Sequence, residues 1–294
     1  MTELTKDTKI LIVGLGVIGG GYADALTKAG YKHVRCITKN ESDIAYATTR
    51  GMIEFGTSFV DKELIKNSEL IIFSLYPHVF KEWISSYCDL FSKGTIITDV
   101  TGVKSGIVDE VQAMMPDGVE FISAHPMAGR EKSGVEYSDS SVFKGANYIV
   151  VPTKKNTESA IQICKSLGSA LGFTKISELS ISEHDEMIAF LSQLTHCIAV
   201  VLMNSNEKSG LELYTGDSFR DLTRIAKINE VMWSELFMLN KAALLSEMDS
   251  FIEKFKNFRS FLANDDVENM KSEMIKATKR RELFDKTKNP NEVM

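Results

Sequence analysis

Apolar runs and helix-like stretches alternate over the first 180 residues of the chain. Six runs have the length and composition of strands, and most are separated by stretches in which apolar residues recur at helical spacing. These runs are KILIVGLG, HVRCIT, LIIFSLY, GTIITDV, VEFISA and NYIVVP. Strands that alternate with helices are typical of a parallel sheet covered by helices on both faces. The pattern therefore predicts a doubly wound α/β domain over residues 1–180.

Beyond that domain no strand pattern remains. The stretches 183–203, 219–240 and 242–265 have helical spacing, and the charged end, 274–294, predicts a helix that frays. We expect an all-helical domain over residues 181–294. Its segments CIAVVLM and FMLNKAALL are apolar for so small a domain. This favours a homodimer, with the helices buried against a second copy of the chain, over an unusually apolar monomer core.

Composition and charge narrow the class of protein. The chain has 294 residues, of which 44% are hydrophobic and 25% charged, as in a soluble globular protein with a sizeable core. Its formal net charge of −6 gives no indication of binding to nucleic acid or to an anionic membrane. The polar start MTELTKDTK has no apolar run of the kind a signal peptide contains, so we expect no signal sequence there. No apolar run approaches the roughly 18 residues of a membrane span. We expect a cytoplasmic protein. Four widely spaced cysteines predict neither disulfides nor a metal site.

A glycine-rich turn follows the first predicted strand and opens a helix. It has the pattern G-x-G-x-x-G, formed by Gly14, Gly16, Val17, Ile18 and Gly19 with Leu15 between the first two glycines. In this context the first glycine permits the tight turn, the second lets the backbone approach a pyrophosphate, and the third allows helix and strand to pack closely. The sequence predicts a Rossmann-type fold that binds a dinucleotide through these residues.

The end of the second strand bears on the choice between NAD and NADP. An acidic residue that grips the ribose hydroxyl of NAD is expected there, but the chain has Thr38 and Lys39. A hydroxyl and a cation suit the additional phosphate of NADP, which favours NADP. Glu41 and Asp43 lie nearby and keep NAD open as the alternative.

Polar residues follow two later strands, where the nicotinamide is expected. The first of these strands ends at Asp99, which we expect at the cofactor, and is followed by Thr101 and Gly102. The second ends at His125, which is placed to act as a general base for a carbinol proton. A hydrogen-bonded structural histidine is the alternative. The charged, glycine-containing AGREKSG that follows favours the mouth of a site.

The helical part adds three cations at helical spacing. Arg220, Arg224 and Lys227 are spaced to lie on one face of a continuous helix, as a clamp for a carboxylated substrate requires. Pairing with neighbouring aspartates is the alternative. His196 lies on an apolar helix, where a satisfied core histidine is the commoner case.

Four segments together resemble the prephenate and arogenate dehydrogenase family of tyrosine biosynthesis. They are VGLGVIGG at the glycine turn, TDVTGVK at 98–104, HPMAGREKSGVE at 125–136 and FRDLTRIAKINEVMW at 219–233. The resemblance implies an NAD(P)-dependent oxidative decarboxylation of a cyclohexadienol that carries a ring carboxylate. It also implies a homodimer held together by the helical domain. Prephenate as substrate is our first expectation, with arogenate as the alternative. A β-hydroxyacid-type dehydrogenase and a cofactor sensor without turnover are the rival readings.

The resemblance assigns roles to five residues. In family terms His125 assists deprotonation of the substrate hydroxyl, Arg224 holds a substrate carboxylate, His196 and Trp233 line the substrate pocket, and Glu131 lies at the pocket entrance.

The chain departs from the family pattern at two positions. A serine that bonds the catalytic histidine in many relatives is Gly102 here, and its role passes either to Thr101 or to a water. The first histidine of a common SHLPH segment is Gln193.

Overall fold

The structure, a computed structural model, describes residues 3–129 and 132–284. A six-stranded parallel sheet in the order β3-β2-β1-β4-β5-β6 forms the centre of the first part of the chain. A second sheet has the order β7-β8-β9, with β7 antiparallel and β9 parallel to β8. The strands are β1 Lys9–Val13, β2 His33–Ile37, β3 Phe55–Thr57, β4 Leu70–Phe73, β5 Ile96–Asp99, β6 Glu120–Phe121, β7 Ser123–Pro126, β8 Asn147–Val151 and β9 Lys175–Glu178.

Helices cover both faces of the six-stranded sheet, and in the described residues after β9 the regular structure is helical. The α-helices are α1 Val17–Lys28, α2 Glu41–Thr49, α3 Lys62–Lys66, α4 Pro77–Tyr87, α5 Val108–Ala113, α6 Glu158–Ala170, α7 Ile181–Ile188, α8 Thr195–Asn204, α9 Asp217–Thr223, α10 Glu230–Leu239, α11 Lys241–Ala263 and α12 Val267–Glu282. A π-helical turn, Ala189–Leu194, joins α7 to α8 without a break.

The central strands are buried on both sides, which is the arrangement that the alternating sequence pattern predicts. Along β1, Ile10 and Ile12 belong to one apolar core, whereas Leu11 and Val13 belong to the other. Because side chains alternate along a strand, a parallel strand with both faces covered has no polar face. The strand order is that of a Rossmann-type doubly wound fold, in which ligands bind beyond the carboxyl ends of the strands.

The chain divides into two compact units, Met1–Leu244 and Leu245–Met294. The first contains both sheets, α1 to α10 and the start of α11. The second contains the remainder of α11 and α12. The predicted change from α/β to helical structure lies within the first unit, between the end of β9 and the start of α7.

The run VEFISA was predicted as one strand of the parallel sheet, but it is two strands in two sheets. β6 ends the parallel sheet, and β7 pairs antiparallel with β8. The ladder to β5 stops because the backbone N–H of Ala124 donates to the side chain of Asp99, at 3.1 Å, instead of to a strand carbonyl. The short strands β3 and β9 were not predicted.

The stretch 219–240 was predicted as one helix, but the chain leaves the helical conformation in its middle. α9 ends at Thr223 and a short 3-10 helix, Arg224–Ala226, follows. The side chain of Asn229 then caps α10 by accepting a hydrogen bond from the N–H of Met232, at 2.9 Å. The three cations therefore do not share the face of one continuous helix.

The continuous helical segment Ile181–Asn204 corrects the expectation that no apolar run is long enough to cross a membrane. It is long and apolar enough to do so, with a mean hydropathy of 1.7, although 28% of its most apolar stretch is buried within the fold. Three of its side chains, His184, Asp185 and Gln193, are nevertheless buried and hydrogen-bonded within the fold. These internal polar contacts hold the first part of the segment, up to Gln193, within the fold.

Candidate active site

The glycine turn has the geometry of a dinucleotide-binding loop. Gly14 has φ of +95° and its N–H donates to Ile37 O at 2.9 Å. A Cβ on Gly14 would overlap Ser74 O, and one on Gly19 would overlap Gly14 O. A Cβ on Gly16, in contrast, would meet no atom within 4 Å. The loop is closed against the sheet at Gly14 and Gly19 and open above Gly16, which fits close approach of a pyrophosphate.

The residues predicted to contact the phosphates and ribose lie beside this loop. Val17 is the first residue of α1 and Ile18 the second, so both belong to the amino-terminal turn that faces anions in such folds. Thr38 is buried, and its Oγ1 accepts a hydrogen bond from the N–H of Leu15 at 3.4 Å. Lys39 is exposed. The structure therefore brings Thr38 to the turn and leaves the Lys39 cation at the surface next to it.

Asp99 forms the centre of a buried polar cluster. It is fully buried, and its carboxylate accepts hydrogen bonds from Thr101 N and Oγ1, Lys104 Nζ, Ser123 Oγ and Ala124 N. Asp99, predicted at the cofactor, and Thr101, predicted beside the catalytic histidine, both belong to a scaffold that holds the loop after β5. Their polar atoms have hydrogen-bond partners within the protein there.

Lys104 connects this scaffold to the strand of the candidate base. Its side chain is fully buried, and Nζ donates to Ala124 O at 2.7 Å, to Asp99 Oδ2 at 3.1 Å and to Thr101 Oγ1 at 3.2 Å. Burial lowers the pKa of Lys104, and the Asp99 carboxylate opposes this shift. The residue after Ala124 is His125, so the lysine fixes the backbone from which that imidazole extends.

Three side chains form a hydrogen-bonded row behind the candidate base. His125 Nδ1 is 2.9 Å from His184 Nε2, and His184 Nδ1 is 2.7 Å from Asp185 Oδ1. The same carboxylate accepts the backbone N–H groups of Lys104, at 2.9 Å, and Ser105, at 2.7 Å. Asp185 thus joins α7 both to the histidine pair and to the loop after β5.

The surroundings of the row keep the imidazoles neutral and the carboxylate charged. Burial, together with the neighbouring His184 and Lys104, holds the pKa of His125 well below its usual value. Burial likewise lowers the pKa of His184, although the hydrogen bond to Asp185 opposes this. Burial alone would raise the pKa of Asp185, but hydrogen bonds from His184 and from the loop lower it. At neutral pH His125 is therefore able to accept a proton.

The other nitrogen of His125 lies next to Gly102 and α10. A Cβ added to Gly102 would be 3.8 Å from His125 Nε2 and 3.8 Å from Leu236 Cδ1. Because Gly102 has no side chain, there is space beside His125 Nε2 that a larger residue at position 102 would fill. This space lies between the loop after β5 and α10, and a substrate hydroxyl that reached it would meet Nε2.

The helix α10 connects this space to the predicted substrate-binding residues. Trp233, one turn before Leu236, stacks on His196 with ring centroids 3.7 Å apart and an interplanar angle of 31°. His196 is on α8, where its Nδ1 lies 2.8 Å from Ser192 O. The structure thus brings His196 of α8 against Trp233 of α10. Trp233 is on the same helix as Leu236, which lies beside Gly102.

The predicted cationic clamp lies on the chain that packs against α8. Arg224 is exposed and begins the 3-10 helix that contacts α8. Arg220 is also exposed, and its Nη2 donates to Thr215 O at 2.7 Å. Glu131 lies outside the described residues, so its predicted place at the pocket entrance stays a prediction.

Gln193 supports the helices around the site. It is buried, and its Nε2 donates to Leu236 O at 2.9 Å. Asn240 Nδ2 lies 2.8 Å both from Gln193 Oε1 and from Asp185 O. The residue that replaces a family histidine therefore braces α10 against α7.

His184 and Asp185 are functional candidates that the sequence analysis did not identify. They lie in SISEHDEM, where the capping box of Ser180 and Glu183 indicates only the start of a helix. The available signal was a histidine followed directly by an aspartate, but their partner His125 is 59 residues away in the chain.

Comparison with known families tests the predicted fold and family. The profile described as the nucleotide-binding domain of prephenate dehydrogenase matches residues 22–174, and the profile of its dimerization domain matches 180–276. The chain belongs to the prephenate dehydrogenase family. It is therefore an NAD(P)-dependent oxidoreductase that acts on a small molecule, and the predicted fold class is confirmed. The rival β-hydroxyacid-type and sensor readings do not fit this membership.

Individual relatives agree with the family profiles. Prephenate dehydrogenase of Bacillus subtilis is 29% identical over 90% of this chain and 72% of its own length. Cyclohexadienyl dehydrogenase of Zymomonas mobilis is 26% identical over 90% of this chain and 91% of its own length. The crystal structure of prephenate dehydrogenase from A. aeolicus with hydroxyphenyl propionate and NAD+ has a TM-score of 0.87 at 26% identity, covering 96% of this chain and 100% of that one.

Proposed function

We propose that the protein catalyses the oxidative decarboxylation of prephenate to 4-hydroxyphenylpyruvate, with His125 as the general base. The observation that carries this proposal is the placement of His125. One nitrogen is held by His184, and the other borders the space beside Gly102 and Leu236. A neutral imidazole in that position is suited to take the proton of a carbinol whose carbon loses a hydride.

The chain's own residues divide the remaining tasks. Arg224, with Arg220 as a second cation, would hold a substrate carboxylate, since a guanidinium matches its geometry. The stacked His196 and Trp233 would line the pocket, and Glu131 would stand at its entrance. The glycine turn would hold the dinucleotide, which supplies the hydride acceptor when bound. Release of carbon dioxide makes the ring aromatic and the step effectively irreversible.

NADP is the proposed cofactor. Lys39 is exposed beside the glycine turn, where a cation would favour an additional phosphate. The two acids that kept NAD open have partners in the structure, because Glu41 Oε1 is 3.3 Å from Ser58 Oγ and Asp43 Oδ2 is 2.9 Å from Asn40 Nδ2. Each acid therefore has a hydrogen-bond partner within the protein, which favours NADP over an NAD ribose held by one of these acids.

The helices that follow the sheet are proposed to form the homodimer. Apolar side chains remain exposed on α8, α10 and α11, among them Val201 at 62%, Met238 at 67% and Phe255 at 64%. Exposed apolar faces of this kind mark interaction surfaces. In our proposal the exposed apolar side chains of the segment Ile181–Asn204 are covered in the dimer, and the protein is cytoplasmic.

A single assay tests substrate and cofactor together. Reduction of the nicotinamide is followed by absorbance with prephenate or arogenate, each with NAD or NADP. We expect the highest kcat/KM with prephenate and NADP. A preference for arogenate would contradict the substrate proposal, and a preference for NAD would contradict the cofactor proposal. If no combination gave reduction of the nicotinamide, the proposed activity would be wrong.

A further inference from the structure

The row His125–His184–Asp185 fixes where each proton lies. Asp185 is ionised and accepts hydrogen bonds from two backbone N–H groups, so it also accepts from His184. His184 Nδ1 must therefore carry a proton. Because His184 is neutral, its Nε2 carries none and accepts from His125 Nδ1. His125 Nδ1 is thus protonated, and the lone pair of the neutral ring is on Nε2, beside Gly102.

We propose that His184 and Asp185 are positioning residues that hold His125 as the Nδ1–H tautomer and so make Nε2 the base of the reaction. The inference rests on the proposed function for the identity of the reaction. This role also explains what orients His125 in a chain that has Gly102 where many relatives have a serine. The imidazole is held at Nδ1 by His184, and not by a side chain on the substrate side at Nε2.

The same row accommodates the charge that the reaction creates. The O–H bond of the substrate would break as an N–H bond forms at Nε2, which would make His125 an imidazolium. The bound dinucleotide would accept the hydride of the carbinol carbon. The charged groups around the two imidazoles are Asp185 on α7, Asp99 at the end of β5 and Lys104 in the loop after β5. Lys104 opposes the new charge, whereas the carboxylate of Asp185, reached through His184, stabilises it.

The burial of the row distinguishes it from a chance contact. His184 is 0% exposed and Asp185 is 3% exposed. A histidine in that position has no access to water, so its two ring nitrogens depend on the partners at either end. A change in one partner is therefore transmitted to the other as a change of tautomer. Loss of the correct tautomer in a serine protease triad lowers kcat by about 10⁴-fold, which shows how large such an effect is.

Two substitutions at position 184 separate positioning from support of the fold. The amide of His184→Gln presents an oxygen toward His125 and an N–H toward Asp185, so it keeps the polarity of the row, whereas His184→Leu removes it. We expect His184→Leu to lower kcat by about 10²-fold with KM within about threefold, and His184→Gln to remain within about tenfold of the wild type. Glu183→Ala is the matched control, because it removes the capping box of the same helix without touching the row.

NMR of the full-length protein with nitrogen-labelled histidine measures the tautomer directly, without substrate. We expect a protonated Nδ1 and an unprotonated Nε2 for His125 in the wild type and in His184→Gln, and a mixture of tautomers in His184→Leu. A wild-type His125 protonated at Nε2, or equal losses of kcat in both variants with an unchanged tautomer, would overturn the proposal. A protein with the expected tautomer and no activity on either substrate would support the row and contradict the proposed function.

Discussion

The glycine turn and the histidine row are two halves of the proposed site, but they are specified in different ways. The turn is made from backbone within six consecutive residues, and its glycines are required where a Cβ would meet main-chain atoms. The row is made from side chains that are 59 residues apart in sequence and meet only when α7 packs against the loop after β5. A site built from local backbone is visible in a sequence, whereas a site assembled by packing is not.

The largest effect is expected from substitution within the glycine turn. Gly19→Ala places a methyl group on Gly14 O, so we expect a loss of at least roughly 1–3 kcal/mol in the free energy of unfolding, together with loss of cofactor binding. Gly16→Ala is the matched variant, since its methyl group meets no protein atom within 4 Å. It should keep the wild-type stability in urea and lose about tenfold or more in cofactor affinity. Normal cofactor binding by Gly16→Ala would show that the pyrophosphate lies elsewhere.

The second largest effect is expected at the base itself. His125→Asn should lower kcat by about 10²-fold or more, because no group is left to take the carbinol proton, while cofactor affinity stays unchanged. Steady-state kinetics with prephenate, and a fluorescence titration with the reduced cofactor, measure the two quantities. His33→Asn, on the surface of β2, is the control and should leave both unchanged. Near-normal turnover of His125→Asn would contradict the assignment of the base.

The clamp is expected to act on binding more than on turnover. Arg224→Ala should raise KM for the substrate by about tenfold or more and change kcat by less than about threefold, since a carboxylate grip is shared by ground state and transition state. Arg220→Ala should have a smaller effect, because that guanidinium already donates to Thr215 O. A variant of Arg224 with unchanged KM would remove this residue from the clamp, and a larger effect at Arg220 would exchange their roles.

The same contrast explains how far the sequence alone reaches. The sheet, the loop glycines and the position of His125 follow from periodicity and motif, and the structure contains all of them. The orientation of Asp99 does not follow from these, because an acidic side chain at the end of a strand can face either a ligand or the protein interior. In this structure the carboxylate accepts hydrogen bonds from five donors of the protein. The break between α9 and α10 was also missed, since one capping side chain, Asn229, outweighs continuous helical spacing.

The histidine row should also make the stability of the protein depend on pH. The pKa values of His125 and His184 are lowered by burial, so below about pH 6.5 the unfolded chain binds protons that the folded chain does not. Stability therefore falls as the pH decreases through that range, by up to about 1.4 kcal/mol per pH unit for each histidine. Urea unfolding at about pH 7.5 and about pH 5.5 measures the slope, which should be smaller in His184→Gln. An equal slope in both proteins would show that His184 is not neutral in the fold.

The smallest effect is expected at Gly102, and it tests whether the row is sufficient. A Cβ there lies 3.8 Å from His125 Nε2, an ordinary contact, so Gly102→Ser and Gly102→Ala should each change the free energy of unfolding by less than about 0.5 kcal/mol. If His184 already fixes the imidazole, a hydroxyl on the substrate side adds little, and Gly102→Ser should have kcat within about threefold of Gly102→Ala. A tenfold gain from the serine alone would mean that His125 is incompletely oriented from behind. The site would then depend on both sides of the imidazole.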